Sequence, residues 1–129
     1  MGGAIRDLET SFLNQFDKKY RTHKICLITL QYSLINDDFL WVLNNICQEF
    51  GIGWESCGFS FPNNCEIGDD DYFENGVMFY FRDNEEIINY NIFTDLLETT
   101  CNIYILQYPE KSEYVNNLLS LIKNKYKIF

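Results

Sequence analysis

A chain of 129 residues, 47% of them apolar and 17% aromatic, suffices for one domain with a real core and excludes a disordered chain. Nineteen acidic groups against ten basic ones leave a net charge of −9. Sequence-independent binding to nucleic acid needs a basic surface, so that balance excludes it.

Ile5, Leu8, Phe12, Phe16 and Tyr20 recur at helical spacing, so 5–20 reads as an amphipathic helix. Segment 24–35, KICLITLQYSLI, is apolar on every face; periodicity leaves strand and buried helix both open. Over 38–50, Phe39, Val42, Leu43, Ile46, Cys47 and Phe50 follow the helical rule. Asn36 or Asp37 can cap its start, and Gly51 follows its end. Trp54 to Phe61 reads as a strand closed by Pro62-Asn63-Asn64, and 62–76 as a polar acidic loop.

Val77 to Arg82 is a second strand, with Val77, Phe79 and Phe81 on one face and Met78, Tyr80 and Arg82 on the other. Asp83-Asn84 signals a turn, and Glu86 to Tyr90 returns as its partner. Asn91 can cap a helix whose buried stripe runs Phe93, Leu96, Leu97, Cys101, Tyr104, Ile105 and Tyr108, with Pro109 ending it. A last helix carries Val115, Leu118, Leu119, Ile122 and Tyr126; Lys123, Lys125 and Lys127 suit its negative C-terminal end. The class is α+β: a single domain, 1–129, with a small antiparallel sheet (the hairpin around 77–90) packed against several amphipathic helices.

No apolar run approaches the ~20 residues of a membrane span. The first residues have no apolar stretch for a signal peptide, and Arg6 stands where a myristoylation signal needs Ser or Thr. Cys26, Cys47, Cys57, Cys65 and Cys101 are odd in number and mostly within apolar segments. They read as reduced core thiols of a cytoplasmic protein.

Catalytic signatures are thin. His23 is the one histidine, and nothing local brings a cysteine beside it as a nucleophile needs; it reads as a surface residue. No Cys-x-x-Cys pair offers a zinc site. A calcium loop starting at Asp71 would need Asp or Asn where Phe73 stands and Glu where Arg82 stands. Gly51-Ile52-Gly53 lacks the rest of a phosphate loop. Neither a cofactor nor a metal is expected.

Charge placement says more. Residues 25–65 hold four acids and no base; residues 66–98 hold ten acids and one base, Arg82. Glu66, Asp69, Asp70, Asp71, Glu74, Asp83, Glu85 and Glu86 crowd the loop and hairpin, with Trp54, Tyr72 and Phe73 interleaved. Acidic groups steer a basic partner, and aromatics anchor it. Those eleven residues are the expected partner-binding set. The competing reading is a solvated face that keeps the protein soluble.

Gly53-Trp54-Glu55, then Asp71-Tyr72-Phe73-Glu74-x-Gly76-Val77-x-Phe79, then Glu86-Ile87-Ile88-x-Tyr90-x-x-Phe93 form an aromatic–acidic pattern that continues through Leu97, Cys101, Tyr104 and Pro109. Over roughly residues 37–126 this pattern resembles the immunity proteins of contact-dependent growth inhibition systems, those paired with ribonuclease toxins. The resemblance implies a non-enzymatic cytoplasmic inhibitor without a cofactor. It also implies a one-to-one complex with a basic nuclease toxin domain, the C-terminal domain of a large exported effector. It transfers no binding residue, because each such protein recognises its own toxin. Two other classes remain: a small hydrolase using carboxylates or a Cys–His pair, and an acidic adaptor that mimics nucleic acid.

Overall fold

The computed structural model describes residues 8–64, 68, 73 and 75–127. Among the described residues, five α-helices and a four-stranded antiparallel sheet follow one another as α1 (Thr10–Leu13), α2 (Lys24–Ile35), α3 (Phe39–Cys47), β1 (Ile52–Gly53), β2 (Cys57–Ser60), β3 (Val77–Phe81), β4 (Asn84–Ile88), α4 (Tyr90–Gln107) and α5 (Ser112–Lys125). The α+β expectation is met, and most of the buried apolar residues form one contiguous cluster.

The expected helix over 5–20 is broken. Only Thr10–Leu13 is α-helical, and a single 3-10 turn follows at Lys18–Tyr20; Ile5 lies outside the described residues. Phe12 and Phe16 are still buried, their rings edge-on at 5.0 Å. The backbone between them tightens, with Gln15 N–H donating to Phe12 O and Phe16 N–H to Leu13 O. The periodicity identified Phe12 and Phe16 as buried but not the path between them, and it leaves Leu8 and Tyr20 only half-buried.

Segment 24–35 resolves as helix α2. It packs against β2, β3 and β4 and against α3 and α4, so it has almost no wet face. That is why its sequence shows no stripe. Its buried polar groups are satisfied: Thr29 Oγ1 donates to Ile25 O at 3.0 Å and Ser33 Oγ to Leu30 O at 2.6 Å within the helix, and Gln31 Oε1 accepts from the distant Glu9 N–H at 2.8 Å.

Helices α2 and α3 end without glycine. Asp37 (φ 59°) and Glu49 (φ 57°) take the left-handed position. In each case two N–H groups reach back: Asp37 to Leu34 O and Asp38 to Ser33 O, then Glu49 to Ile46 O and Phe50 to Asn45 O. These are Schellman closures. Glu49, not Gly51, therefore terminates α3, and Asp38 rather than Asn36 or Asp37 precedes it, without a side-chain cap.

The sheet order is β1-β2-β3-β4, and β1 was not expected. The register places Ile52, Phe59, Phe79 and Glu86 in one row across the strands, and Gly53, Gly58, Tyr80 and Glu85 in the adjacent row. Side chains alternate, so the first row faces the helices and the second faces away. On the outer row the Tyr80 ring lies over two glycines. A Cβ on Gly58 would fall 2.3 Å from Ile52 O and 2.6 Å from the Tyr80 hydroxyl, so no other residue fits. The hairpin turns on Arg82 (φ 55°) and Asp83, one residue earlier than expected.

Helix α4 is capped by Asn89, not Asn91. The Asn89 side chain accepts from Ile92 N–H at 2.9 Å while its backbone stays extended. Asn89→Ala is therefore expected to cost about 1 kcal/mol, and Asn91→Ala almost nothing. Paired urea denaturations check this, and equal losses for both would contradict it. Pro109 ends α4 as expected and opens the turn Pro109–Lys111 into α5. Helix α5 packs on α3 and α4 and buries Val115, Leu119 and Ile122. Near its end, Lys125 Nζ donates to Cys47 O at 3.0 Å, and the Tyr126 hydroxyl donates to Glu49 Oε2 at 2.9 Å.

Candidate functional site

Of the eleven expected partner-binding residues, Glu66, Asp69, Asp70, Asp71, Tyr72 and Glu74 lie outside the described residues. The other five scatter. Asp83 is exposed at the hairpin turn and Glu85 is exposed on β4. Glu86, one residue on, belongs to the opposite row, and its Oε2 lies 2.6 Å from His23 Nδ1. His23 is thus not a free surface histidine but a tie between the start of α2 and β4. Phe73 is only 7% exposed, so in the free protein its ring is an interior group.

Trp54 has the most telling surroundings. It follows β1 in the turn to β2, where its N–H donates to Cys57 O at 2.8 Å. Its indole Nε1–H donates to Asp38 Oδ2 at 3.3 Å. Its ring meets Tyr32 edge-on at 5.3 Å and Trp41 edge-on at 6.3 Å. The fold thereby joins the end of α2, the start of α3 and the β1–β2 turn into one aromatic cluster. Asp37 and Glu55 are exposed beside it in the chain, and Trp41 is 52% exposed.

Sequence reasoning missed Trp41, although a signal was present. Phe39, Val42, Leu43 and Ile46 define the buried stripe of α3, and Trp41 falls off it. A tryptophan on the wet side of an amphipathic helix is a binding signal.

Cys65 lies outside the described residues; the other four cysteines are free thiols and poor nucleophiles. Burial pushes the Cys26 thiol well above its ordinary value, Cys57 up to about 11 and Cys101 up to about 12. Their consequence is alkaline lability. A group whose pKa is raised by folding favours the folded state below its unfolded value, here 9.0, and that contribution is lost as pH rises through the folded value. Burial and the bond to Glu49 raise the Tyr126 phenol in the same sense, starting from 10.0. The urea midpoint is therefore expected to fall steadily from about pH 9 to about pH 11. A flat profile over that range would contradict the burial of these groups.

A groove of about 520 Å³ runs along β1 and β2, lined by Phe50, Gly51, Gly53, Ser60, Asn64 and Tyr80 among others, with no carboxylate among the described residues that line it. A smaller polar groove of about 330 Å³ includes Asp17, Lys19, Asp95 and Glu98. There the Tyr20 hydroxyl donates to Asp95, and that bond, first among its causes, pushes the phenol up to about 12. Among the described residues no three His, Cys, Asp or Glu side chains are placed to hold a metal ion. No described helix is long and apolar enough to cross a membrane.

Compared with known families, residues 19–119 match the model of the CDI immunity proteins. The match begins ahead of the span over which the resemblance was expected, and it includes His23 and all of α2. No curated protein and no solved structure matches the chain. A family model that accounts for residues 19–119 of 129 covers the sheet and the helices around it. The chain belongs to the family of CDI immunity proteins, the immunity proteins of contact-dependent growth inhibition systems.

Proposed function

We propose that the protein neutralises a ribonuclease toxin by covering the basic surface with which that toxin holds RNA. The partner is the C-terminal domain of a large exported effector. It is met in the cytoplasm and bound one to one, without chemistry or cofactor on the immunity side.

The observation that carries this reading is the concentration of charge. Residues 66–98 hold ten acids and one base, so this quarter of the chain carries the full net charge of the protein. Like charges this dense repel one another, and a basic partner relieves the repulsion. A nuclease must attract phosphate, so its substrate face is basic, and an acidic inhibitor meets the same face. Asp69, Asp70 and Asp71, with Asp83 and Glu85, are the proposed steering groups, and Trp54 is an anchor. The acidic adaptor differs from this reading only in its partner. The small hydrolase is disfavoured by the raised thiols and by the engagement of His23 with Glu86.

The test is capture on the immobilised protein from the producing cell at low salt, followed by mass spectrometry. The expected catch is a basic domain, released by high salt, that cleaves RNA when expressed alone. One equivalent of the immunity protein should abolish that cleavage. A captured domain whose nuclease activity is untouched, or no enrichment over a charge-matched control, would overturn the reading.

A further inference from the structure

We infer that the pair Trp41 and Trp54, with Asp38 bonded to the Trp54 indole and Asp37 and Glu55 close by in the chain, is the seat for a lysine or arginine side chain of the toxin domain. The inference rests on the proposed basic toxin and adds to it a specific contact.

Three observations converge on this place. The first is exposure. Trp41 is 52% exposed on a helix whose Phe39, Val42, Leu43 and Ile46 are all 1% exposed or less. A large apolar ring left in water is unfavourable unless a partner covers it. The second is preorganisation. Trp54 is held by the bond from its indole N–H to Asp38, by the edge of Tyr32 and by the edge of Trp41. A platform already fixed loses little freedom when a partner lands on it. The third is charge. The stretch 25–65 has four acids and no base; three of those acids, Asp37, Asp38 and Glu55, lie within four residues of a tryptophan in the chain, and Asp38 accepts the bond from the Trp54 indole.

Indole faces are the best aromatic partners for a cation, and neighbouring carboxylates strengthen the attraction. Arg82 shows the chemistry at the edge of the same region. Its backbone N–H donates to Ser56 O, next to Glu55, and its guanidinium lies over the Phe81 ring at 5.0 Å. That cation is already seated on its own ring, so the tryptophan pair is left for one from outside.

The chain has only these two tryptophans, which makes the site directly readable. Biosynthetic 5-fluorotryptophan gives two fluorine resonances, both from the platform. The probe is the toxin domain recovered in the capture experiment and expressed separately. Both resonances are expected to shift at saturation. Trp41→Ala is expected to weaken binding about thirtyfold or more. Trp41→Phe, which keeps an aromatic face, should lose less than about tenfold, and Trp41→Leu should lose about as much as alanine.

Resonances unmoved in a saturated complex, or Trp41→Ala binding like the parent, would overturn the site while leaving the toxin reading intact. Trp41→Leu binding like the parent would show an apolar occupant and overturn the cation. If the unaltered protein itself fails to bind the domain, the toxin reading falls first and the site falls with it.

Discussion

Phe93→Ala is expected to remove about 3–5 kcal/mol of stability, the usual cost of emptying a fully buried aromatic site. Phe93 has no exposed surface. It is the point at which α4 meets the sheet: its ring packs edge-on against Phe61 at 6.5 Å and at a tilt against Phe79 at 5.9 Å. Phe59 extends the same stack, tilted on Phe79 at 5.7 Å and edge-on to Phe61 at 6.0 Å. Alanine would leave a void walled by rigid rings on strands, which cannot collapse inward. Domains hold only about 5–15 kcal/mol in reserve, so this loss is most of it. The melting temperature should fall by about 10–20 °C, whereas Phe93→Leu should cost about 1–2 kcal/mol. Calorimetry on both variants checks the pair of values. A drop of only a few degrees for alanine would mean that the stack does not bear the junction of helix and sheet.

The second large effect concerns association. Replacing Asp69, Asp70 and Asp71 together by Asn is expected to slow toxin binding about tenfold or more at low salt, with a much smaller effect at high salt. Steering acts before contact, so the loss should appear in the on-rate and leave the off-rate nearly unchanged. Amides match the carboxylates in shape, so the change removes charge and little else. Stopped-flow mixing at two salt concentrations separates these terms. An unchanged on-rate at low salt would move the docking face away from this loop, and a changed off-rate alone would make these residues contacts rather than steering groups.

The legible parts of the fold are those where one face is wet. Helices α3, α4 and α5 bury most of the stripes their spacing announces, as Leu96, Leu97 and Cys101 or Val115, Leu119 and Ile122 illustrate; Phe50 is the clearest exception, because α3 closes at Glu49 and leaves that ring 53% exposed. Strands β3 and β4 lie within a residue or two of their expected positions. Helix α2 was ambiguous because it is covered on all sides, and burial on all sides erases period. Strand β1 was invisible because two residues carry no period at all. The caps moved because several asparagines compete near each end, and tertiary geometry selects Asn89 over Asn91.

The binding residues were legible as a charge bias and not as a place. Trp54 was found, but its neighbours Tyr32, Asp38 and Trp41 come from 13 to 22 residues upstream and meet it only through the fold. Glu85 and Glu86 look alike in sequence, and strand alternation sends one to solvent and the other to His23.

The two ends of the sheet have a consequence for the protein's behaviour at high concentration. A strand with a free edge is a template on which a second chain can grow a sheet. At one end β1 is two residues long and bordered by Gly51, too short to guide such growth. At the other end β4 exposes Glu85, next to the exposed Asp83 of the turn, so an approaching copy of the same strand meets like charge. One edge is closed by brevity and the other by repulsion. Neither edge therefore offers a second copy of the chain an easy template for sheet growth as concentration rises.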